Sequence, residues 1–181
     1  MIRRAIVFAG ICVALIAAYR VGTKMYTKQF SPEATALYTG EKAKIEVHYS
    51  QPSKKARPIF GETGLAPFGE VWRTGANEAT EITLTSNVSI SGHKLNAGTY
   101  TLFTIPDEEQ WTIIFNEELD QWGSFQYDEI QDVLRVGVDA FQVNRMVEKF
   151  TIGFEEEQNE VIMLLEWDRT LVKIPFKIEQ S

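Results

Sequence analysis

From Lys42 onward the apolar residues recur at every second position, and this alternation constrains the fold more than anything else in the chain. Ile45, Val47 and Tyr49 alternate with Glu46 and His48, and Ile82 and Leu84 alternate with Glu81, Thr83 and Thr85. A period of two puts apolar side chains on one face of a strand, whereas a period of 3.6 would mark a helix. Val88 and Ile90 continue the pattern up to Ser91-Gly92, and the β-rich run Thr99–Ile105 turns at Pro106–Glu109 into Trp111–Phe115. Val133–Val138 adds a strand, and Phe150, Ile152 and Phe154 mark another one-sided strand. A charged hairpin loop, Glu155–Glu160, leads to Val161–Trp167, and Asp168-Arg169-Thr170 turns that strand into Leu171–Ile178. About nine or ten strands with short polar turns predict an all-β fold, an antiparallel two-sheet β-sandwich (jelly-roll-like) preceded by one N-terminal hydrophobic helix. Ser31-Pro32-Glu33 suits either a short helix or a leading strand. Asn116–Gln131 has no clear period and reads as a long connection with one helical turn at Glu117–Asp120.

The first residues differ in kind. Met1-Ile2-Arg3-Arg4 precedes an apolar run of 15 residues, Ala5 to Tyr19, followed by Arg20. That is the layout of a signal sequence. Ile16 stands where a cleavage site wants a small residue, and Arg20 can snorkel to lengthen the apolar span. An uncleaved signal-anchor is therefore expected over residues 1–22, a tether over 23–30 and the β-body over 31–181. Charge does not settle orientation, because Arg3 and Arg4 flank one end and Arg20, Lys24 and Lys28 the other. The expected placement is the bacterial inner membrane, single-pass, with the body in the periplasm; a cleaved signal and a soluble periplasmic body is the alternative.

Charge narrows the function. Residues 1–28 hold five basic residues and no acid, so the body carries the other 13 of the 18 basic residues and all 25 acidic ones. A body this acidic repels phosphate backbones, which argues against nucleic acid as a partner. Any anionic ligand needs a local basic pocket, which Lys54, Lys55 and Arg57 can supply. Cys12 is the single cysteine, so no intramolecular disulfide forms. His48 and His93, the two histidines, lie in no zinc-like cluster, and the acidic turns Asp107–Glu109 and Glu155–Glu157 do not match an EF-hand loop. No metal or cofactor is expected. Nucleophile elbow, dinucleotide fingerprint and P-loop are all missing, so the balance tips away from an enzyme.

The stretch Pro67–Thr80, PFGEVWRTGANEAT, carries the densest chemistry. Arg73 offers a fork for a carboxylate or phosphate, with Asn77 as donor and Glu78 as acceptor. The alternative is structural: Arg73 pairs with Glu70 or Glu78, and Asn77 satisfies turn backbone. Trp122 and Tyr127, in the long connection, are candidates for stacking on a sugar ring, while Trp111 alternates with Ile113 and Phe115 and reads as core. Arg57 completes the candidate ligand-binding set of Arg73, Asn77, Glu78, Trp122, Tyr127 and Arg57.

Several runs together resemble a known family. Tyr49-Ser50-Gln51-Pro52, Ile59-Phe60-Gly61, Pro67 to Asn77, Leu95 to Tyr100, Phe103-Thr104-Ile105-Pro106, Trp111-Thr112, Asn116, Gln121-Trp122-Gly123 and Asp132 to Val136 look like the bacterial family catalogued as domain of unknown function 2911. The likeness spans about Ser31 to Ile178. It implies an exported protein with a β-sandwich body and no assigned reaction. Family members commonly have Arg before the first Pro, where this chain has Gln51. They usually follow it with Lys-Gly-Arg, where this chain has Lys55-Ala56-Arg57. If that turn forms an anion site, Gln51 weakens it.

The expected function is a membrane-tethered, extracytoplasmic binding or accessory subunit of a membrane-associated complex with a protein partner in the cell envelope. The alternative is a carbohydrate- or small-ligand-binding module.

Overall fold

The computed structural model describes residues 2–179; Met1 of the expected anchor and Gln180 and Ser181 of the expected body lie outside the described residues. Helix α1 (Ile2–Lys28) precedes nine strands: β1 (Glu33–Thr39), β2 (Lys44–Ser50), β3 (Thr80–Leu84), β4 (Val88–Ile90), β5 (His93–Leu95), β6 (Gly98–Ile105), β7 (Gln110–Asn116), β8 (Asp132–Glu157) and β9 (Glu160–Ile178). Ser31-Pro32-Glu33 thus opens a strand. The helical turn expected at Glu117–Asp120 is not there, and a single 3₁₀ turn sits at Glu129–Gln131 instead, capped by Asp128 through Ile130 N (3.0 Å).

The strands form one open antiparallel sheet in the order β1-β2-β3-β6-β7-β8-β9-β4-β5. This corrects the expected two-sheet sandwich. Its cause lies in two places where the sequence suggests chain breaks and the backbone stays paired. Val133–Val138 and Phe150–Phe154 belong to one strand, β8, of 26 residues. Its first part pairs with β7 and the remainder with β9, so one strand carries the ladder from β7 to β9, with irregularities between Gln142 and Thr151. Asp168-Arg169-Thr170 is likewise no turn but an irregularity inside β9, a strand of 19 residues. Asp168 takes a left-handed backbone (φ 55°), and the register of β8 against β9 shifts between Gln142 and Thr151. Bulges of this kind bend a ladder without ending it. A true hairpin does lie between the two strands: Gln158 and Asn159 both have positive φ, as a two-residue type I′ turn requires.

The bend brings β8 back against the end of β2. Phe150 N donates to Pro52 O (3.0 Å) and Lys54 N to Glu148 O (2.8 Å). Ile152 N donates to the Tyr49 hydroxyl (3.1 Å), and the Tyr49 and Phe150 rings meet edge-on at 5.8 Å. One face of the sheet thereby covers itself. Val47, Ile82, Leu102, Ile113, Phe115, Phe150, Ile174 and Phe176 join one fully buried cluster drawn from both ends of the strand order. On the opposite face Phe103 and Ile114 are buried beneath Tyr127 of the long connection.

The N-terminal segment is helical, but among the described residues no helix is long and apolar enough to cross a membrane. The expected single-pass anchor and inner-membrane placement are therefore corrected. Arg3, Arg4 and Arg20 bound the apolar run, which at 1.5 Å per residue is about 22 Å long against a hydrocarbon core of about 30 Å. The rest of the helix turns polar at Thr23, Lys24, Thr27 and Lys28.

Phe150 is the contact on which the self-covering sheet closes. Truncating it (Phe150→Ala) is expected to cost about 3–5 kcal/mol of unfolding free energy, read from urea denaturation. A loss below about 1 kcal/mol would show that the two ends of the sheet do not depend on each other there.

Candidate functional site

The segment between β2 and β3 is held down along most of its length. Trp72 and Thr104 exchange backbone hydrogen bonds (2.7 and 2.9 Å), and Trp72 Nε1 donates to Gly75 O (3.0 Å). Thr80 Oγ1 donates to Thr74 O (2.7 Å), while Thr74 itself is buried with φ 53°. Gly75 sits where space is tight: a Cβ there would lie 3.1 Å from Ser50 O and 3.2 Å from Thr80 Oγ1, so a side chain would make these neighbours give by a few tenths of an ångström. Asn77, also left-handed (φ 60°), donates through Nδ2 to Ser31 O (3.3 Å), and its carbonyl accepts from Gly123 N (2.9 Å).

Arg73 is the exception. Its Nε is buried without a hydrogen-bond partner, and among the described residues no carboxylate forms an ion pair with it. Burial lowers its pKa from the usual guanidinium value. Guanidinium groups stay charged in proteins, and with Nε sealed from solvent it is the Nη end, engaged by no acceptor among the described residues, that is left to bind. The structural alternative, a pair with Glu70 or Glu78, is not what the chain builds: Glu78 binds Lys28 of α1 instead (3.1 Å).

A second loop shares a cavity of about 420 Å³ with Arg73. Lys54 O accepts from Arg57 N (3.0 Å) around Lys55 (φ 46°) and Ala56 (φ 57°), a type I′ turn without glycine. Arg57 folds its Nε and Nη2 onto Lys54 O (3.0 Å) and Ser53 O (2.6 Å). Lys54 Nζ reaches back to Asp168 Oδ2 (2.6 Å), and Lys55 N donates to Glu148 Oε1 (2.9 Å). Arg73, Arg57 and Lys55 all line the cavity, with Phe30, Pro52 and Leu65 as apolar walls and Trp72 and Trp167 beneath. Those two indoles stack at 5.9 Å with their planes 18° apart.

The structure therefore brings Arg73 and Arg57 together and leaves the other four candidates outside that cavity. Asn77 is buried and tied to backbone. Glu78 faces a neighbouring cavity of about 600 Å³, whose walls include Glu33, His48, Glu81 and Asp120. Lys24 Nζ lies 4.5 Å over the Trp122 ring and so covers one face a sugar would need. Tyr127 donates to Asp132 Oδ2 (2.5 Å), accepts from Arg135 Nη1 (3.0 Å) and packs against Phe103 at 5.0 Å. Burial first, and then the Asp132 carboxylate, push the Tyr127 hydroxyl pKa up, which marks it as a fixed neutral donor. No group of three or more His, Cys, Asp or Glu among the described residues is placed to hold a metal ion. Phe30, Leu65 and Trp167 do not stand out in the sequence. Phe30 and Leu65 sit in segments without periodicity, and Trp167 belongs to an ordinary alternating strand.

A family model described as "Protein of unknown function (DUF2911)" matches residues 31–176. The chain belongs to this family. No curated protein and no solved structure matches it. Within the DUF2911 segment lie Arg73, the Lys55–Arg57 turn, Leu65 and both stacked tryptophans; Phe30 stands one residue before it.

Ala56 occupies a left-handed position where a side chain costs about 1–2 kcal/mol, which glycine avoids at some entropic expense. Ala56→Gly is accordingly expected to raise unfolding free energy by about 0.5–1 kcal/mol in urea titrations. A drop in stability would mean the turn is not left-handed in solution.

Proposed function

We propose that this DUF2911 protein is a small-ligand-binding module that holds an anion on Arg73. Of the readings the sequence leaves open, the cavity favours this one over docking on a larger complex. The observation that carries it is the partly buried, unpaired guanidinium in an open cavity shared with Arg57 and Lys55. Buried cations are ordinarily paired, because removing charge from water is costly. This chain has 25 acidic residues to choose from, and among the described residues none is placed against Arg73. An arginine fork kept free in a concave site suits two coplanar oxygens. The surrounding acidic body limits the attraction to this one spot, which suits a small anion better than a polyanion.

Tryptophan fluorescence tests the reading directly, because Trp72 and Trp167 line the cavity. Titration of the full chain with acetate, sulfate or phosphate is expected to give a saturable change for at least one of them. In Arg73→Gln the same anion should bind at least about tenfold more weakly while the urea midpoint stays within error. Equal binding by both proteins would exclude Arg73 as the anion site, whatever the affinity.

A further inference from the structure

The chemistry around Arg73 also says what the anion is attached to. We infer, on the basis of the anion-binding reading of Arg73, that the ligand is a small-molecule carboxylate carrying one apolar ring or branched chain. Its carboxylate sits on Arg73 and its apolar body against Phe30 and Leu65.

Three observations lead there. The first is the donor count. Arg57 already spends its Nε and one Nη2 hydrogen on the carbonyls of Lys54 and Ser53, which fixes its head against the loop and leaves only its Nη1 end to add charge and a hydrogen bond. Arg73 is then the one cavity guanidinium without protein partners among the described residues. A single fork matches the two oxygens of a carboxylate. A phosphate, with a further oxygen and about one more negative charge, is held where several free donors or a helix N-terminus converge. The cation loop is also partly neutralised, because Asp168 binds Lys54 and Glu148 holds the backbone of Lys55. The local surplus of positive charge is modest and fits a monoanion.

The second observation is the apolar surface left in water beside those cations. Phe30 is 47% exposed and Leu65 44% exposed, and both face the same cavity together with Pro52. Single exposed apolar residues are ordinary. Two of them lining one concave site with an unpaired arginine form an amphipathic receptor, with cationic and apolar walls together. Lys55 Nζ lies 4.8 Å over the Phe30 ring, so the charged and apolar parts of the wall adjoin without a gap.

The third observation is size. About 420 Å³ lies near the lower end of the roughly 300–1,000 Å³ typical of small-molecule sites, ample room for one ring and its acid.

The test uses the full chain and four probes, followed by tryptophan fluorescence and checked by calorimetry: phenylacetate, its neutral amide phenylacetamide, acetate and inorganic phosphate. Phenylacetate is expected to bind about tenfold or more tightly than acetate, phosphate or the amide, since the ring adds buried apolar area and the amide loses the charge. Phe30→Ala and Leu65→Ala are each expected to weaken phenylacetate about three- to tenfold and to weaken acetate clearly less. If phosphate binds as tightly as phenylacetate and Arg73→Gln still abolishes it, the anion reading of Arg73 stands and the apolar-carboxylate inference falls. That inference also falls, with the anion reading intact, if phenylacetate gains nothing over acetate or loses nothing in Phe30→Ala. If no probe binds in an Arg73-dependent manner, both fall.

Discussion

Everything in this molecule depends on the seam where β8 returns to the end of β2. A single sheet with one strongly apolar face cannot stand in water unless something covers that face, and here the sheet itself does so. The backbone bonds from Phe150 to Pro52 and from Lys54 to Glu148 fix the approach, and Tyr49 and Phe150 fill the space behind them. Phe60, Trp72, Trp111, Phe150 and Trp167 then pack ring against ring at 5.0–6.2 Å, an aromatic block that supplies large buried area with few rotors to freeze. The floor of the Arg73 cavity is the outer edge of that block, so the site inherits its rigidity from the core.

The contrast between Arg73 and its neighbours gives the site its meaning. Trp72, Thr74, Gly75, Asn77 and Thr80 are committed to one another or to backbone through short, buried bonds. Two of these residues hold left-handed backbone, which costs energy unless the surroundings enforce it. A segment so thoroughly determined does not leave an arginine unpaired for want of opportunity. Glu78, five residues away, instead joins Lys28, whose pKa Glu33 and Glu78 raise by accepting its hydrogen bonds.

Much of the fold was legible in the residues because alternation reports directly on which face of a strand is buried. Ile45, Val47 and Tyr49, Ile82 and Leu84, and Trp111, Ile113 and Phe115 all turn inward as their spacing implies. Sheet number was not legible. Asp168-Arg169-Thr170 has the composition of a turn, and only the pairing of Val147 with Asp168 and of Gln142 with Thr170 shows that the ladder runs through it. The N-terminal run was legible as a helix but not in its reach, because arginines at both ends cut the apolar length below what a bilayer requires. For the site, Arg73 and Arg57 were visible as charged residues beside turns. Phe30 and Leu65 were not, since a lone apolar residue in an irregular segment carries no periodic signal. Trp122 and Tyr127 drew attention as aromatics in a long loop, yet tertiary contacts with Lys24, Asp132 and Phe103 claim them.

The ion pair between Lys54 and Asp168 ties two features that look separate. Asp168 is the residue whose left-handed backbone curves β9, and Lys54 is the base of the turn that carries Lys55 and Arg57. Lys54 also donates to Arg57 O (3.1 Å), so one ammonium group clasps the strand and the loop together. The curvature of the scaffold and the spacing of its charges are thereby one mechanical variable. A substitution that flattens the strand at Asp168 would therefore also loosen the anchor of the turn that carries Lys55 and Arg57.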